Sequence, residues 1–401
     1  MTPLSAASLY ASPNLLAPHY ARFRVSERLL LSGHSHQAWP DCSERGQLRA
    51  WSDAARHVDD KWQHAFERAE RVRRGFAQLM AADPAQLSLG ASTHELLVRF
   101  LSGLPLRTRP RLVTTDAEFH SARRLLQRLA EEGVELVRVP AQPCATVSER
   151  LAAQLDARTA AVIVSSVFFD SGERAGGLGW LAERCEQHGT RLLVDVYHQL
   201  NVVPLALEAE GLSNAYIVGG GYKYCQLGEG NCFLRAPAHC DLRPVATGWF
   251  AEFDALEEAN PVHASEVRYG SLRTRFAGAT YDPTSHYRAA EVFDFFERMQ
   301  LTASLLREVS QHQLSVLCRE LDALDLPREL LSRSDLPLEQ RGGFLALHSP
   351  RASELVEALH ARGVHCDARG RVLRLGPAPY LSDSQLCAAV RLLGEVAHAL
   401  A

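Results

Sequence analysis

Two stretches, RLLVDVYHQ at 191–199 and AYIVGGGYKYCQLGEGNCFL at 215–234, decide the fold of this chain. Each begins with an apolar run typical of a fully buried strand and continues into polar residues or glycines. Working outward from them, similar apolar runs occur at 111–115, 134–140 and 160–169, with amphipathic segments between them. This alternation predicts a mostly parallel sheet covered by helices on both faces, with function located beyond the carboxyl ends of the strands.

The rest of the chain predicts a second, smaller unit. A stretch containing Pro237, Pro244 and Pro261 predicts irregular structure to about residue 280. After it, the predicted helices are 284–300, 301–324, 351–362 and 383–400, and the predicted strands are 344–349 and 371–375. We therefore expect an N-terminal arm or part of the small domain (1–45), a large α/β domain (46–280) and a small α+β domain (281–401).

Composition excludes several classes of protein. The 401 residues carry 43 basic and 47 acidic side chains, a balance that argues against binding to nucleic acid or anionic membranes. We find no apolar run long enough to span a membrane and no signal-like N-terminus, so we expect a cytoplasmic protein. The nine cysteines form no CxxC pair and the 17 histidines no HExxH motif, so we expect reduced thiols and no metal site.

The chemistry-bearing residues follow the two deciding strands. Asp195 stands at the carboxyl end of one predicted strand, with His198 three residues later, and Lys223 follows the other. A buried carboxylate needs a cationic partner, and a protonated pyridine nitrogen would supply one. Lys223 would then form a Schiff base with the aldehyde of pyridoxal 5'-phosphate (PLP). The alternative for Lys223 is a solvent-exposed loop lysine.

Over most of its length the sequence resembles kynureninase, within the class-V aminotransferase-like group. The resemblance rests on DVYHQ, GGGYKY, ATGWF at 246–250 and VLRLGPAPY at 372–380. It implies an α/β PLP fold type I (aspartate-aminotransferase-like), with a large mostly parallel-sheet domain and a smaller α+β C-terminal domain. It also implies a homodimer that hydrolyses the Cβ–Cγ bond of L-kynurenine or 3-hydroxy-L-kynurenine, giving an anthranilate and L-alanine.

The resemblance also implies roles for single residues. Lys223 matches the Schiff-base lysine, Asp195 the partner of the pyridine nitrogen, and His198 a histidine near the cofactor's phenolic side. Tyr222 matches a tyrosine that reaches the phosphate and assists proton transfer. We therefore predict Lys223, Tyr222 and Asp195 as catalytic residues.

Further matches extend the predicted site. Trp249 matches an indole donor to the phosphate, and Arg374 matches the arginine that binds the substrate's α-carboxylate. The other predicted cofactor contacts are Ser92, Thr93, His94, Phe119, Ser166 and Thr280, the last from a neighbouring subunit. The start of the helix at 92–94 is equally compatible with a phosphate site or a plain N-cap, and a core position is the alternative for the Phe119 ring.

Some segments depart from the family. SGHSHQAWP at 32–40 has His34 and His36 where kynureninases carry Asn and Leu, and Ala122 replaces an expected acidic residue. Because these segments line the substrate side, we predict His36 as a substrate-binding residue. His34, His57, His64 and His120 are further candidates for a modified pocket, with ordinary surface or core histidines as the alternative.

Two other functions stay open. The first is another class-V PLP enzyme: an aminotransferase, a β-lyase, or a cysteine desulfurase with Cys366 near the position of a nucleophilic cysteine. The second is a regulator or binding protein on a degenerate scaffold. The intact lysine, aspartate, histidine and arginine set argues against the second.

Overall fold

The computed structural model describes residues 4–255 and 266–400, and its strands and helices alternate along most of the chain. The strands are β1 (Leu29–Leu30), β2 (Leu87–Gly90), β3 (Arg111–Thr115), β4 (Glu135–Val139), β5 (Thr159–Ser165), β6 (Arg191–Asp195), β7 (Tyr216–Gly220), β8 (Cys232–Arg235), β9 (Ser332–Arg333), β10 (Leu345–His348), β11 (Val364–His365), β12 (Asp367–Arg369) and β13 (Val372–Leu375). The helices are α1 (Ala6–Tyr10), α2 (Cys42–His57), α3 (Lys61–Leu79), α4 (Thr93–Ser102), α5 (His120–Glu131), α6 (Val147–Ala152), α7 (Leu178–Gln187), α8 (Thr284–Met299), α9 (Ala303–Ala323), α10 (Ala352–Ala361) and α11 (Asp383–Leu400).

The large sheet has seven strands in the order β2-β8-β7-β6-β5-β3-β4. Strands β4, β3, β5, β6 and β7 are parallel, which confirms the mostly parallel sheet predicted from the sequence. Strand β8 pairs antiparallel with both β7 and β2. It must run that way because the connection from Gly220 to Cys232 is too short to carry a parallel crossover.

Both faces of this sheet are buried, as the apolar strands predict. In β5, Ala161 and Ile163 join one apolar cluster, whereas Val162 and Val164 join another. Alternate residues of a strand point to opposite faces, so the two clusters cover the two sides of the sheet. Packing on both faces therefore fixes the position of the carboxyl ends of the parallel strands.

Helices α2 and α3, for which the sequence yielded no prediction, pack against α8. A Cβ at Gly46 would lie 2.5 Å from the Tyr287 carbonyl oxygen, and one at Gly75 would lie 2.5 Å from the Phe293 ring. The two glycines therefore allow close approach to α8.

The small sheet has the order β12-β13-β10-β9 and is antiparallel throughout. The N-terminal arm joins this region, because β1 pairs in parallel with β11. The Gly33 amide donates to the Gly376 carbonyl and the Gly376 amide to the Leu31 carbonyl, both at 2.7 Å. Residues 29–33 thus pack beside the strand that carries Arg374.

The described residues between β8 and α8 are mostly irregular. Pro237 and Pro244 lie outside helices and strands, as predicted, and Pro261 lies outside the described residues. A short 3-10 helix covers Trp249–Ala255. No helix in the described part of the chain has both the length and the apolar character needed to cross a membrane.

Candidate active site

The predicted chemistry-bearing residues gather at one edge of the large sheet. Ser165 ends β5 and is the register partner of Asp195, which ends β6, and Asp195 is in turn the partner of Val218 in β7. Carboxyl ends of parallel strands meet at the same sheet edge, so the segments after them face a common space. Lys223 enters this space from the turn after β7.

Lys223 is buried, with 6% of its surface exposed, and its Nζ lies 2.6 Å from His198 Nε2. Aromatic rings surround the amine, with ring centroids 4.8 Å away for Tyr197, 5.5 Å for Phe119 and 5.8 Å for Tyr222. Burial lowers the pKa of Lys223 to about 7, although the Asp195 carboxylate opposes the shift. A large share of the Lys223 side chains is therefore uncharged and nucleophilic at neutral pH.

His198 is the neutral partner of this amine. Burial, and then the positive charge of Lys223, lower the pKa of His198 well below its usual range. The ring therefore accepts a hydrogen bond from Lys223 through Nε2. Its buried Nδ1 has no hydrogen-bond partner among the described residues, so it is free to bind a polar group of a ligand.

Asp195 is held by its neighbours along the chain. Its Oδ1 accepts a hydrogen bond of 2.8 Å from the Tyr197 amide. Among the described residues, this is the one hydrogen bond that the carboxylate accepts. Burial raises the pKa of Asp195, while the Tyr197 amide and Lys223 oppose the rise. Asp195 is only partly buried, so its carboxylate can accept a further hydrogen bond, and its desolvation favours a cationic donor.

Ser166 lies next to Asp195, and its predicted contact with the cofactor ring stays a prediction. Its backbone amide donates to the Asp195 carbonyl at 2.9 Å, and its Oγ donates to the same oxygen at 3.2 Å. Both contacts are to the backbone, so they fix the end of β6.

Glu118 is a buried acid that sequence reasoning missed. Its carboxylate accepts hydrogen bonds from Ser165 Oγ at 2.6 Å and from Thr115 Oγ1 at 2.7 Å. Burial raises the pKa of Glu118 to about 7. It ties the end of β5 to the loop that carries Phe119.

The start of α4 reaches the same site. Ser92 is the N-cap of α4, and its Oγ accepts a hydrogen bond of 3.2 Å from the Glu95 amide. The Thr93 amide approaches Cys232 Sγ. Cys232 Sγ lies 3.9 Å from Tyr197 Oη, beside the aromatic rings around Lys223. The helix N-terminus and its exposed His94 therefore border the pocket, and their role toward a phosphate stays a prediction.

Phe119 is partly buried and directs its ring toward the amine rather than into the core. It begins the turn before α5, and its ring makes an edge contact with Phe169 at 5.4 Å. His120 packs on the same Phe169 ring at 5.2 Å. The rings of Phe119, His120 and Phe169 form an aromatic wall, and its Phe119 ring lies 5.5 Å from Lys223 Nζ.

Tyr222 stands on the other side of Lys223. Its ring stacks on His36, with centroids 4.7 Å apart and planes at 17°. Burial raises the pKa of Tyr222 to about 12, so the phenol keeps its proton at neutral pH. His36 Nε2 lies 3.6 Å from Glu229 Oε1. Because 61% of the His36 side chain is exposed, its ring is accessible from solvent.

Arg374 is buried on β13 and is bonded to Asp367, its register partner on β12. Asp367 also contacts His34, and the Phe344 ring lies 5.8 Å from the His198 ring. The Phe344 ring therefore lies near both the Arg374 guanidinium, whose Cζ is 5.7 Å from the ring centroid, and the His198 ring that contacts Lys223. Sequence reasoning missed Asp367, Phe344 and Tyr197.

Several predicted residues lie outside this group. Trp249 is half-exposed and packs on Phe250 at 4.2 Å, and Thr280 is exposed. The recorded contacts of Lys223 within the described residues include neither of them. His57 and His64 pair with each other at 4.8 Å on α2 and α3. Among the described residues, no cluster of His, Cys, Asp and Glu is arranged to hold a metal ion.

Comparisons with known proteins agree with this architecture. Residues 306–393 match the kynureninase C-terminal domain family. A curated relative, the uncharacterized aminotransferase YcbU of Bacillus subtilis (strain 168), is 24% identical over 344 residues, covering 84% of this chain and 86% of the relative.

Solved structures match over nearly the whole chain. A C-DES mutant with glycine covalently linked to its PLP cofactor has a TM-score of 0.81 at 15% identity, covering 94% of this chain and 98% of its own. C-DES is also described as a cystine C–S lyase, with its product cysteine persulfide, at a TM-score of 0.80, 16% identity and coverage of 93% and 98%. A cysteine desulfurase from Thermococcus onnurineus NA1 has a TM-score of 0.77 at 15% identity, covering 93% of this chain and 96% of its own.

These neighbours share the fold predicted from the sequence, in which a mostly parallel sheet carries the site at its carboxyl edge. The chain has the PLP fold type I, and the family match together with the curated relative supports a place in the class-V aminotransferase group.

Proposed function

We propose that this chain is a PLP-dependent enzyme acting on an amino acid, with Lys223 as the residue that carries the cofactor covalently. The observation that carries the proposal is the buried Lys223 amine, whose pKa of about 7 makes it nucleophilic beside Asp195 and His198. PLP fits the unsatisfied polar atoms here, because Asp195 favours a cationic donor and His198 Nδ1 lacks a partner among the described residues. When bound, PLP supplies an electron sink that weakens bonds at the substrate's α-carbon.

The chain's own residues then have distinct tasks. Asp195 would keep the pyridine nitrogen of bound PLP protonated, and His198 would offer its Nδ1 to a polar group of the cofactor. Once released from the cofactor, Lys223 Nζ removes a proton from the substrate, since its lowered pKa leaves it uncharged at neutral pH. Tyr222 is protonated at neutral pH, because burial raises the pKa of its phenol to about 12. It would donate this proton to the product carbon and be reprotonated with the proton that Lys223 has taken from the substrate. Arg374 binds the α-carboxylate.

As the reaction we propose hydrolysis of the Cβ–Cγ bond of L-kynurenine or 3-hydroxy-L-kynurenine. The match of residues 306–393 to the kynureninase C-terminal domain supports it, since this segment contains Phe344, Asp367 and Arg374. The aromatic wall of Phe119, His120 and Phe169 supports it as well, because an aryl side chain would pack there.

A second candidate is cleavage of a C–S bond, favoured by the structural similarity to C-DES and to a cysteine desulfurase. A desulfurase needs an accessible thiolate. Cys366 is 3% exposed, and burial raises its pKa to about 12. Cys366 therefore does not supply such a thiolate, and the second candidate that we retain is a C–S lyase that does not use Cys366.

For the assembly we propose a homodimer. The exposed positions of Trp249 and Thr280 agree with contacts to a second copy of the chain. Their predicted phosphate contacts would then be made in the partner's site.

The cofactor can be tested with unusual clarity, because the sequence contains two lysines, Lys61 and Lys223. Purified protein is given PLP, reduced with borohydride and digested, and we expect the label on Lys223. A label on Lys61, or none, would refute the cofactor assignment.

The substrate is tested next on the same preparation. Cleavage of L-kynurenine or its 3-hydroxy form is followed by the fluorescence of the anthranilate product. Cleavage of cystine is followed by release of a persulfide, and aminotransferase activity by transfer of an amino group to a keto acid. We expect an anthranilate. A labelled Lys223 with no anthranilate would refute the kynureninase reaction and leave the cofactor assignment intact.

A further inference from the structure

The hydrogen bonds of Arg374 show how much of its guanidinium is already used. Nε donates to Asp367 Oδ1 at 2.8 Å, and Nη2 donates to Asp367 Oδ2 at 2.5 Å. Nη1 donates to the Phe169 carbonyl at 2.6 Å. Because Asp367 occupies the edge formed by Nε and Nη2, an incoming carboxylate cannot bind that edge.

Asp367 is itself held from behind. His34 Nε2 lies 2.9 Å from Asp367 Oδ1, and the His34 side chain is fully buried. Burial lowers the pKa of His34 to about 4, so the ring is neutral and Nε2 carries the proton that it donates to Asp367. The bonds from His34 and Arg374 outweigh burial and hold the pKa of Asp367 below its usual range, so this carboxyl stays ionised.

Packing fixes the same three side chains. The Phe344 ring lies 4.8 Å from the His34 ring and 5.7 Å from the Arg374 guanidinium carbon. Gly376 leaves no room for a side chain beside His34. The network therefore has little freedom to rearrange when a ligand arrives.

We propose that Asp367 and His34 are positioning residues that fix Arg374, so that it receives a substrate carboxylate only through Nη1 and Nη2. This inference rests on the proposed role of Arg374 toward the α-carboxylate. Of the five N–H groups of a guanidinium, three donate to described residues, and the other two, one on each terminal nitrogen, have no acceptor among those residues.

The arrangement has a consequence for recognition. Asp367 neutralises the charge of Arg374, so the site offers two oriented donors rather than an isolated cation. A planar carboxylate satisfies both donors, whereas a carboxamide satisfies only one and turns its own N–H groups toward the arginine. The ratio of the dissociation constants of a carboxamide and the matching carboxylic acid therefore measures how well Arg374 is oriented.

The test uses 3-phenylpropionate and 3-phenylpropionamide, which carry an aryl ring and no amino group. Their dissociation constants are measured by calorimetry on the PLP-loaded full chain, so the readout requires no turnover. We expect wild type to prefer the acid by about tenfold or more, and Arg374→Gln to remove the preference.

The positioning variants separate the proposal from its opposite. Asp367→Asn should lower the acid preference about tenfold, and His34→Leu about threefold, because Arg374 keeps its charge but loses its orientation. His34→Asn restores a donor to Asp367 and should recover most of the preference. His312→Leu is the matched control, because it removes another histidine–carboxylate bond, 2.9 Å long, to Asp383.

Each outcome decides the matter, provided that circular dichroism shows the variants folded. If Asp367→Asn or His34→Leu tightens binding of the acid, Asp367 competes with the substrate and the proposal is wrong. If they leave the preference unchanged, it is also wrong. Failure of PLP to label Lys223 would instead refute the proposed function, and the same calorimetry on the chain without PLP would then still test whether Asp367 and His34 orient Arg374.

Discussion

The clearest physical signature of the site is the buried amine of Lys223, and Lys223→Met in the cofactor-free chain tests it directly. Burial lowers the pKa of this amine from 10.5 to about 7. Between these values the unfolded chain holds a proton that the folded chain has released, so the free energy of unfolding rises with pH. Below pH 7 both states are protonated, and above 10.5 neither is, so the effect is confined to this window.

The magnitude follows from the gap between the two pKa values. At 1.36 kcal/mol for each pH unit, the full gap corresponds to about 5 kcal/mol, of which about 3 kcal/mol falls between pH 7 and 9.5. Lys223→Met lacks this contribution. The difference in unfolding free energy between wild type and Lys223→Met should therefore shift by about 3 kcal/mol in favour of wild type over that range.

The assay is urea unfolding at several pH values between 7 and 9.5. Lys61→Met is the control for the loss of a lysine, because Lys61 begins α3 and lies over the Trp62 ring, apart from the site. Curves for Lys223→Met that run parallel to wild type across the range would refute the account of a buried amine. A pH dependence shared equally by both variants would refute it too.

Three further predictions concern single residues. Asp195→Asn should lower kcat by about a hundredfold or more, because the neutral amide no longer stabilises a protonated pyridine; steady-state kinetics with saturating PLP measure this. Glu118→Gln should stabilise the chain by about 2 kcal/mol more at pH 8 than at pH 5. The reason is that burial raises the pKa of Glu118 to about 7, so ionisation of Glu118 in the folded chain lowers the free energy of unfolding of wild type as the pH rises from 5 to 8. Urea unfolding at both pH values checks the sign. Cys366→Ala should leave turnover within about twofold and lower stability by about 1 kcal/mol, as expected for a buried thiol without a chemical role; a loss of all turnover would point to a nucleophile.

The meeting of Asp195 and Lys223 at one sheet edge could be predicted from the sequence because both residues follow apolar strands closely. Asp195 ends β6, and Lys223 follows β7 after three residues, so strand prediction alone brings them to one edge. The direction of β8 depends on loop length, and sequence reasoning did not assign it.

The arginine network was missed for a different reason. Asp367 and Arg374 are equidistant from the turn at Gly370 and Arg371, so a two-residue hairpin would have paired them. The segment DARGRVLR at 367–374 thus indicates a hairpin that pairs Asp367 with Arg374, but our sequence-based predictions did not include it. The contact with His34, by contrast, joins residues 333 positions apart, and no local pattern predicts it.

Helices α2 and α3 show the limit of periodicity as a guide. Their burial depends on glycines that meet α8, and a glycine in a helical segment ordinarily weakens the prediction of a helix. Trp249 and Thr280 were predicted by resemblance alone, and their positions in one chain do not test their roles.

The pairing of β1 with β11 has a consequence for how the protein is made. Residues 29–34 find their partners only when residues near 365 and 376 have been synthesised, so ribosomes must complete most of the polypeptide before the carboxylate pocket can close. Until then the early strand is an unpaired edge that chaperones would need to shield. We therefore expect folding of this chain to be limited by the late docking of residues 29–34 rather than by formation of its central sheet.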